Sequence, residues 1–93
     1  MPGKFTLLGK DGPTDTGLMK IVDISTTGLK FKLTVPREFP IGTELRVEFN
    51  LDDRNRTLME KRVIVRNVSG LSVGVSFHPN ELADPALGFY LMP

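Results

Sequence analysis

The 93-residue sequence contains no cysteine, no tryptophan and only one histidine, His78. Without cysteine the chain forms no disulfide, and no thiolate is available for catalysis or for binding a metal. A zinc site takes several cysteine or histidine ligands, and the sequence contains neither an HExxH motif nor a Cys/His spacing. We therefore interpret His78 as a surface or rim residue and expect neither a metal nor a cofactor.

Net charge and long apolar runs are also lacking. Twelve Lys and Arg side chains against 11 Asp and Glu leave a formal charge of +1, far from the basic excess of a non-specific nucleic-acid-binding protein. The longest apolar runs are only a few residues long, too short to span a bilayer, and the N-terminal residues do not have the pattern of a signal peptide. The sequence thus predicts a cytoplasmic protein with no nucleic-acid partner and no membrane insertion.

Side chains that could catalyse a reaction are few. Asp23 and Ser25 lie close along the sequence, but no motif places a base that would activate the serine. Asp52 and Asp53 are adjacent in a charged stretch that is typical of a solvated turn. We expect a binding protein and not an enzyme.

The clearest structural signal in the sequence is the alternation of apolar and polar residues. Nine glycines and seven prolines favour many short elements joined by turns. Between these turns, apolar and polar residues alternate with the period of two that places one face of a β-strand in a core. Three runs each place four apolar side chains on one face: Leu29, Phe31, Leu33 and Val35; Leu45, Val47, Phe49 and Leu51; Leu71, Val73, Val75 and Phe77.

Three more strands and one helix complete the predicted fold. Residues 57–68 alternate less regularly, residues 17–24 are apolar on both faces as in a central strand, and residues 4–9 form a first strand. Residues 85–92 follow an Asp-Pro helix start and predict two turns of helix. We expect one all-β domain over residues 1–93, a six-stranded antiparallel β-barrel with a short C-terminal helix, because closure removes exposed sheet edges.

The stretch of most functional interest is Asp23-x-Ser25-x-x-Gly28, where one strand ends and the next begins. Asp23 and Ser25 stand at alternate positions and so project from the same face, beside a turn in which Gly28 could take a positive φ. A carboxylate there could accept two parallel hydrogen bonds from a guanine edge. Alternatively, Asp23 and Ser25 only cap the turn by accepting hydrogen bonds from backbone amides. Both interpretations stay open.

Further segments follow this motif in a fixed order over residues 17–77: Leu29-x-Phe31, Gly42-Thr43-x-Leu45-x-Val47, Val63-x-Val65-Arg66 and Val73-Gly74-Val75-x-Phe77. In this order the sequence resembles the PilZ domain family. The resemblance implies a six-stranded barrel and a role in bacterial cyclic di-GMP signalling. It also implies that Asp23, Ser25 and Gly28 are the residues that meet a guanine.

The sequence differs from nucleotide-binding PilZ domains in the arginine motif. Those domains carry Arg-x-x-x-Arg ahead of the first strand, whereas no arginine precedes Arg37 here. Arg62 and Arg66 have this spacing inside a predicted strand, where they would stand about 13 Å apart. Together with Lys4 they are the candidates for phosphate contacts.

Two functions remain. The first is an adaptor that binds a protein partner in the motility, pilus or biofilm machinery and binds cyclic di-GMP weakly or not at all. The second is a cyclic di-GMP receptor with a non-standard basic clamp. A nucleic-acid-binding barrel is disfavoured by the near-neutral charge and by aromatic residues that fall on core-facing positions.

Overall fold

Alternating apolar residues line the inside of six antiparallel strands, which close into a barrel in the part of the chain that the structure describes. The computed structural model describes residues 1–9, 12–52, 54–79, 81 and 91. The strands are β1 (Pro2–Gly9), β2 (Gly12–Ile24), β3 (Gly28–Leu33), β4 (Glu44–Asn50), β5 (Leu58–Ser69) and β6 (Ser72–Phe77). Around the barrel they follow the order β1-β2-β3-β6-β5-β4. The predicted all-β class and antiparallel six-stranded barrel are confirmed.

The core contains the residues that the alternation predicts. Phe31, Leu45, Leu51, Val63 and Val65 are completely buried. Phe5 joins them from β1, and its ring stacks on that of Phe31 with the centroids 6.4 Å apart. Burial of these side chains is the main stabilising contribution to the barrel.

Two details of the alternation are wrong. Val35 is 66% exposed, because β3 ends at Leu33 and no sheet holds the residues after it on a core face. β2 is apolar on both faces but is not buried on both, since Leu18 and Val22 are exposed while Met19 and Ile21 are buried. The outside of a closed barrel faces solvent, so the outward apolar side chains of β2 are not covered as they would be in a central strand.

The predicted helix at residues 85–92 lies outside the described residues, except for Leu91. Leu91 is partly buried and packs against the core. No helix among the described residues is long and apolar enough to cross a membrane.

A tight turn joins β5 to β6. Ser69 pairs with Ser72, so Gly70 and Leu71 form a two-residue loop. Gly70 has a φ of +60°, a conformation that glycine adopts without the steric cost of a Cβ atom.

Two β-bulges distort the sheet at the same level of the barrel. In β2, Ile21 pairs with Phe31 and Asp23 with Lys30, so Val22 is the extra residue. In β5, Val65 pairs with Val75 and Asn67 with Gly74, which leaves Arg66 as the extra residue. Bulges bend a strand and redirect its side chains, and these two lie on either side of the β3–β6 pair.

Candidate ligand-binding groove

A row of paired residues crosses four strands between the two bulges. Asp23 on β2 pairs with Lys30 on β3, Lys30 pairs with Gly74 on β6, and Gly74 pairs with Asn67 on β5. The Asn67 side chain packs over Gly74, because a Cβ atom there would lie only 2.6 Å from it. An open groove of about 320 Å³ follows this row on the outer face of the barrel. Its lining also includes Ser25, Gly28, Arg66 and Ser76.

Ser25 organises the turn at one end of the groove. Its Oγ accepts hydrogen bonds from the backbone N–H groups of Thr27 and Gly28, both at 3.2 Å. The hydroxyl also lies 3.2 Å from the Gly28 carbonyl oxygen, to which it can donate. The turn is fixed to β6 as well, because the backbone N–H of Phe77 donates to the Thr27 carbonyl at 2.9 Å. Ser25 therefore caps the turn.

Asp23 forms fewer hydrogen bonds than Ser25. Its Oδ1 accepts a hydrogen bond from the Ile24 backbone N–H at 2.9 Å, whereas Oδ2 accepts none from the described residues. The side chain is exposed and lines the groove. One carboxylate oxygen is thus available to a ligand that carries N–H donors.

Gly28 is needed for a different reason from the predicted one. It is not among the described glycines with positive φ, which are Gly12, Gly42 and Gly70. A Cβ atom at Gly28 would instead lie 2.2 Å from the Val75 carbonyl oxygen. Glycine at this position lets the backbone of β3 approach that of β6 closely.

Positive charge reaches the groove from Arg66 and Lys30. The Arg66 Nε donates to the Ser76 Oγ at 2.8 Å, and its terminal nitrogens donate to no described residue. Lys30 forms no ion pair within the described residues. Lys30, Asn67 and Gly74 were missed by the sequence reasoning, although the alternation did place Lys30 on the outward face of its strand.

Lys4 and Arg62, the other two candidates for phosphate contacts, lie outside the groove. The Lys4 Nζ is 3.6 Å from Glu48 Oε2 on the neighbouring strand. Arg62 donates to Glu44 Oε2 at 2.9 Å. The bulge at Arg66 separates it from Arg62, so the two arginines do not form one binding row.

His78 lies at the rim of the barrel, where its Nε2 is 3.3 Å from Glu44 Oε1. No cluster of three or more metal-ligating side chains occurs within residues 1–9, 12–52, 54–79, 81 and 91.

A family model described as PilZ domain matches residues 1–87. This range contains all six strands and every residue that lines the groove. The search of curated proteins found no match.

Proposed function

The chain belongs to the PilZ domain family, and we propose that it is an adaptor of bacterial cyclic di-GMP pathways that acts mainly by binding a protein partner. PilZ domains are non-catalytic modules that bind cyclic di-GMP and interact with proteins. In this proposal the partner belongs to the motility, pilus or biofilm machinery, the chain is cytoplasmic, and it is not an enzyme.

The hydrogen bonding of Ser25 is the observation that carries the adaptor proposal. Ser25 Oγ already accepts two backbone hydrogen bonds, so its role in the turn is complete without a ligand. Arg66 donates its Nε–H to Ser76 Oγ, which leaves only its terminal nitrogens for a ligand. Arg37, the first arginine in the sequence, pairs with Asp15 and lies over the Phe5 ring at 5.3 Å.

The expected nucleotide affinity follows from these contacts. Hydrogen bonds between a guanidinium and a phosphate contribute about 1.5–3 kcal/mol each. A site that lacks two such arginine contacts would lose about 3–6 kcal/mol of binding free energy, which corresponds to roughly 10²–10⁴ in affinity. Lys30 supplies charge but not the planar fork of arginine. We therefore expect weak binding.

A second candidate function, direct reception of cyclic di-GMP, is supported by the position of Arg66. The bulge at Arg66 brings a guanidinium into the same groove as Asp23 and Lys30. In this alternative, Asp23 Oδ2 accepts from a guanine edge, and Arg66 and Lys30 meet the phosphates. Lys4 and Arg62 would then take no part.

Isothermal titration of the chain with cyclic di-GMP at moderate salt separates the two functions. Absence of heat at high micromolar ligand supports the adaptor. Saturable heat that is lost in Asp23→Ala and reduced in Arg66→Ala supports the receptor. Asp52→Ala and Arg62→Ala are the matched controls, because both side chains are exposed and lie outside the groove.

The adaptor proposal also requires a positive result. The immobilised chain should capture a partner from the bacterium that produces it, and the purified partner should bind the purified chain in a second titration. Failure of any purified candidate to bind, combined with tight binding of cyclic di-GMP, would overturn the adaptor proposal.

A further inference from the structure

A second surface of the barrel combines exposed apolar side chains with lysines. It lies on the outer face of β2 and β3 and consists of Leu18, Lys20, Val22 and Lys32, which we call the lysine face. Leu18 is 68% exposed and Val22 is 56% exposed. Lys20 and Lys32 form a directly opposed pair in the β2–β3 register.

The two lysines repel each other in the free chain. Directly opposed residues on adjacent strands have Cβ atoms about 4.5–5.5 Å apart, and like charges in such a pair are destabilising. Neither Lys20 nor Lys32 forms an ion pair with any residue that the structure describes. The fold therefore concentrates positive charge here without neutralising it.

The charges on the adjoining outer face are arranged differently. The outer face formed by β1, β4 and β5 alternates acidic and basic side chains that neutralise one another. Its ion pairs are Lys4–Glu48, Arg46–Glu48, Arg46–Glu60 and Arg62–Glu44. The lysine face contrasts with this pattern in both charge and apolar exposure.

We infer that the lysine face is the surface on which this chain, if it is the adaptor proposed above, docks an acidic and apolar segment of its protein partner. A carboxylate placed between Lys20 and Lys32 would pair with both and offset much of their repulsion. Leu18 and Lys20 stand at alternate positions of β2, about 6.6 Å apart, and Val22 follows them at the bulge. A partner segment with a carboxylate between two apolar side chains matches this order.

A protein segment fits the surface better than an anionic bilayer. Binding to anionic lipid typically uses clusters of about four to eight basic residues, and the lysine face contains two. The opposed pair suits a single carboxylate, because both ammonium groups can reach its two oxygens.

The first test uses a fluorescein-labelled peptide in which glutamate and leucine alternate, with binding followed by fluorescence anisotropy. We expect the Lys20→Gln/Lys32→Gln double variant to bind this peptide at least about tenfold more weakly. The Arg54→Gln/Arg56→Gln variant is the matched control, because it removes two exposed cations that lie in the β4–β5 loop and not on β2 or β3. A peptide with glutamine in place of glutamate should lose most of its affinity.

A second pair of variants tests the apolar part of the surface. Leu18→Ser should weaken peptide binding severalfold, whereas Leu58→Ser should not. Leu58 is a suitable control because it is 63% exposed and lies on β5. Amide shifts in a ¹H–¹⁵N NMR titration should map to β2 and β3.

Three results would overturn the inference. The first is equal weakening in the arginine control, which would indicate non-specific charge attraction. The second is binding, dependent on Lys20 and Lys32, to phosphatidylcholine vesicles with about one-third phosphatidylserine but not to the peptide. The third is a concentration-dependent dimer that the double variant abolishes, which would identify a second copy as the occupant.

Failure of the lysine face as a docking surface can be distinguished from failure of the proposed adaptor function. If a purified partner binds wild type and the Lys20→Gln/Lys32→Gln variant equally, the adaptor stands and only the surface is wrong. If no protein binds and cyclic di-GMP binds tightly, the proposed function itself fails. The variants leave the groove residues Asp23 and Arg66 unchanged, so the nucleotide titration is unaffected.

Discussion

Ser25 stabilises the β2–β3 turn through one hydroxyl group. We expect Ser25→Ala to lower the free energy of unfolding by about 0.5–2 kcal/mol, as in the loss of other side-chain caps, because the N–H groups of Thr27 and Gly28 lose their acceptor. Urea denaturation measures the change. Thr26→Ala, in the same exposed turn, is the control and should have little effect; equal losses in the two variants would refute the capping role.

Gly28 is constrained by the backbone of the neighbouring strand. A methyl group at this position would lie 2.2 Å from the Val75 carbonyl oxygen and 3.0 Å from the Ser76 Cα. Backbone atoms cannot move aside as a side chain can, so we expect Gly28→Ala to destabilise the barrel by about 1–3 kcal/mol. Thermal or urea denaturation would measure this loss.

Gly9→Ala is the matched control for Gly28→Ala. The nearest atom to a Cβ at Gly9 is the Thr14 Cγ2 at 3.1 Å, which belongs to a side chain at the exposed end of a hairpin. The Gly9 variant should therefore lose less stability. If the two alanine variants were equally stable, the close approach of β3 to β6 would not be the reason for glycine at position 28.

The groove was only partly predictable at this scale. The motif located Asp23, Ser25 and Gly28 correctly beside one turn, because a turn between strands has a local sequence signature. The reason given for Gly28 was wrong, since close packing against β6 depends on a strand more than 40 residues away along the chain. Gly74 and Asn67 carry no local signal that they face this turn.

Among the elements, the strands were more predictable than their irregularities. Period-two alternation identified β3, β4 and β6, because a half-buried strand imposes it on the sequence. The bulges at Val22 and Arg66 leave no clear pattern, since one inserted residue only shifts the alternation locally. Arg66, the extra residue of the β5 bulge, lines the groove, whereas Arg62 does not.

A link between the β1–β2 hairpin and the β3–β4 loop should respond to pH. A hydrogen bond from Arg37 holds the pKa of Asp15 below its ordinary value. A carboxyl whose pKa is lower in the folded chain stabilises the fold above its unfolded pKa and loses this effect as the pH falls through the folded value. We expect wild type to be more stable than Arg37→Gln at pH 7, with a smaller difference below about pH 4.

The contact of Arg37 with the Phe5 ring adds a contribution to stability that does not depend on pH in this range. Urea denaturation of wild type, Arg37→Gln and Asp15→Asn from neutral to acidic pH separates the two contributions. Asp15→Asn should lose only the pH-dependent contribution to stability. A difference between wild type and Arg37→Gln that stays constant down to the lowest pH would contradict the ion pair's role.

At the scale of the whole molecule, barrel closure was predictable and the charge distribution was not. Closure follows from six short strands in a chain too small to protect the edges of an open sheet. The formal charge of +1 conceals two unlike faces, because it sums over neutralised pairs such as Lys4–Glu48 and the opposed lysines Lys20 and Lys32. Only the strand register reveals which charges are neighbours.

This asymmetry predicts a stability that depends on salt. Removing one of the opposed lysines with Lys32→Gln should raise the free energy of unfolding by about 0.2–1 kcal/mol at low salt. The gain should disappear near 1 M salt, where the screening length is about 3 Å. Lys4→Gln is the control, because it removes the ion pair with Glu48 and should give no gain. If Lys32→Gln gave no gain at low salt, or the same gain at every salt concentration, repulsion would not be a property of the lysine face. If Lys32→Gln is more stable than wild type and no longer binds the acidic peptide, then the repulsion between Lys20 and Lys32 lowers stability while the same two lysines serve binding.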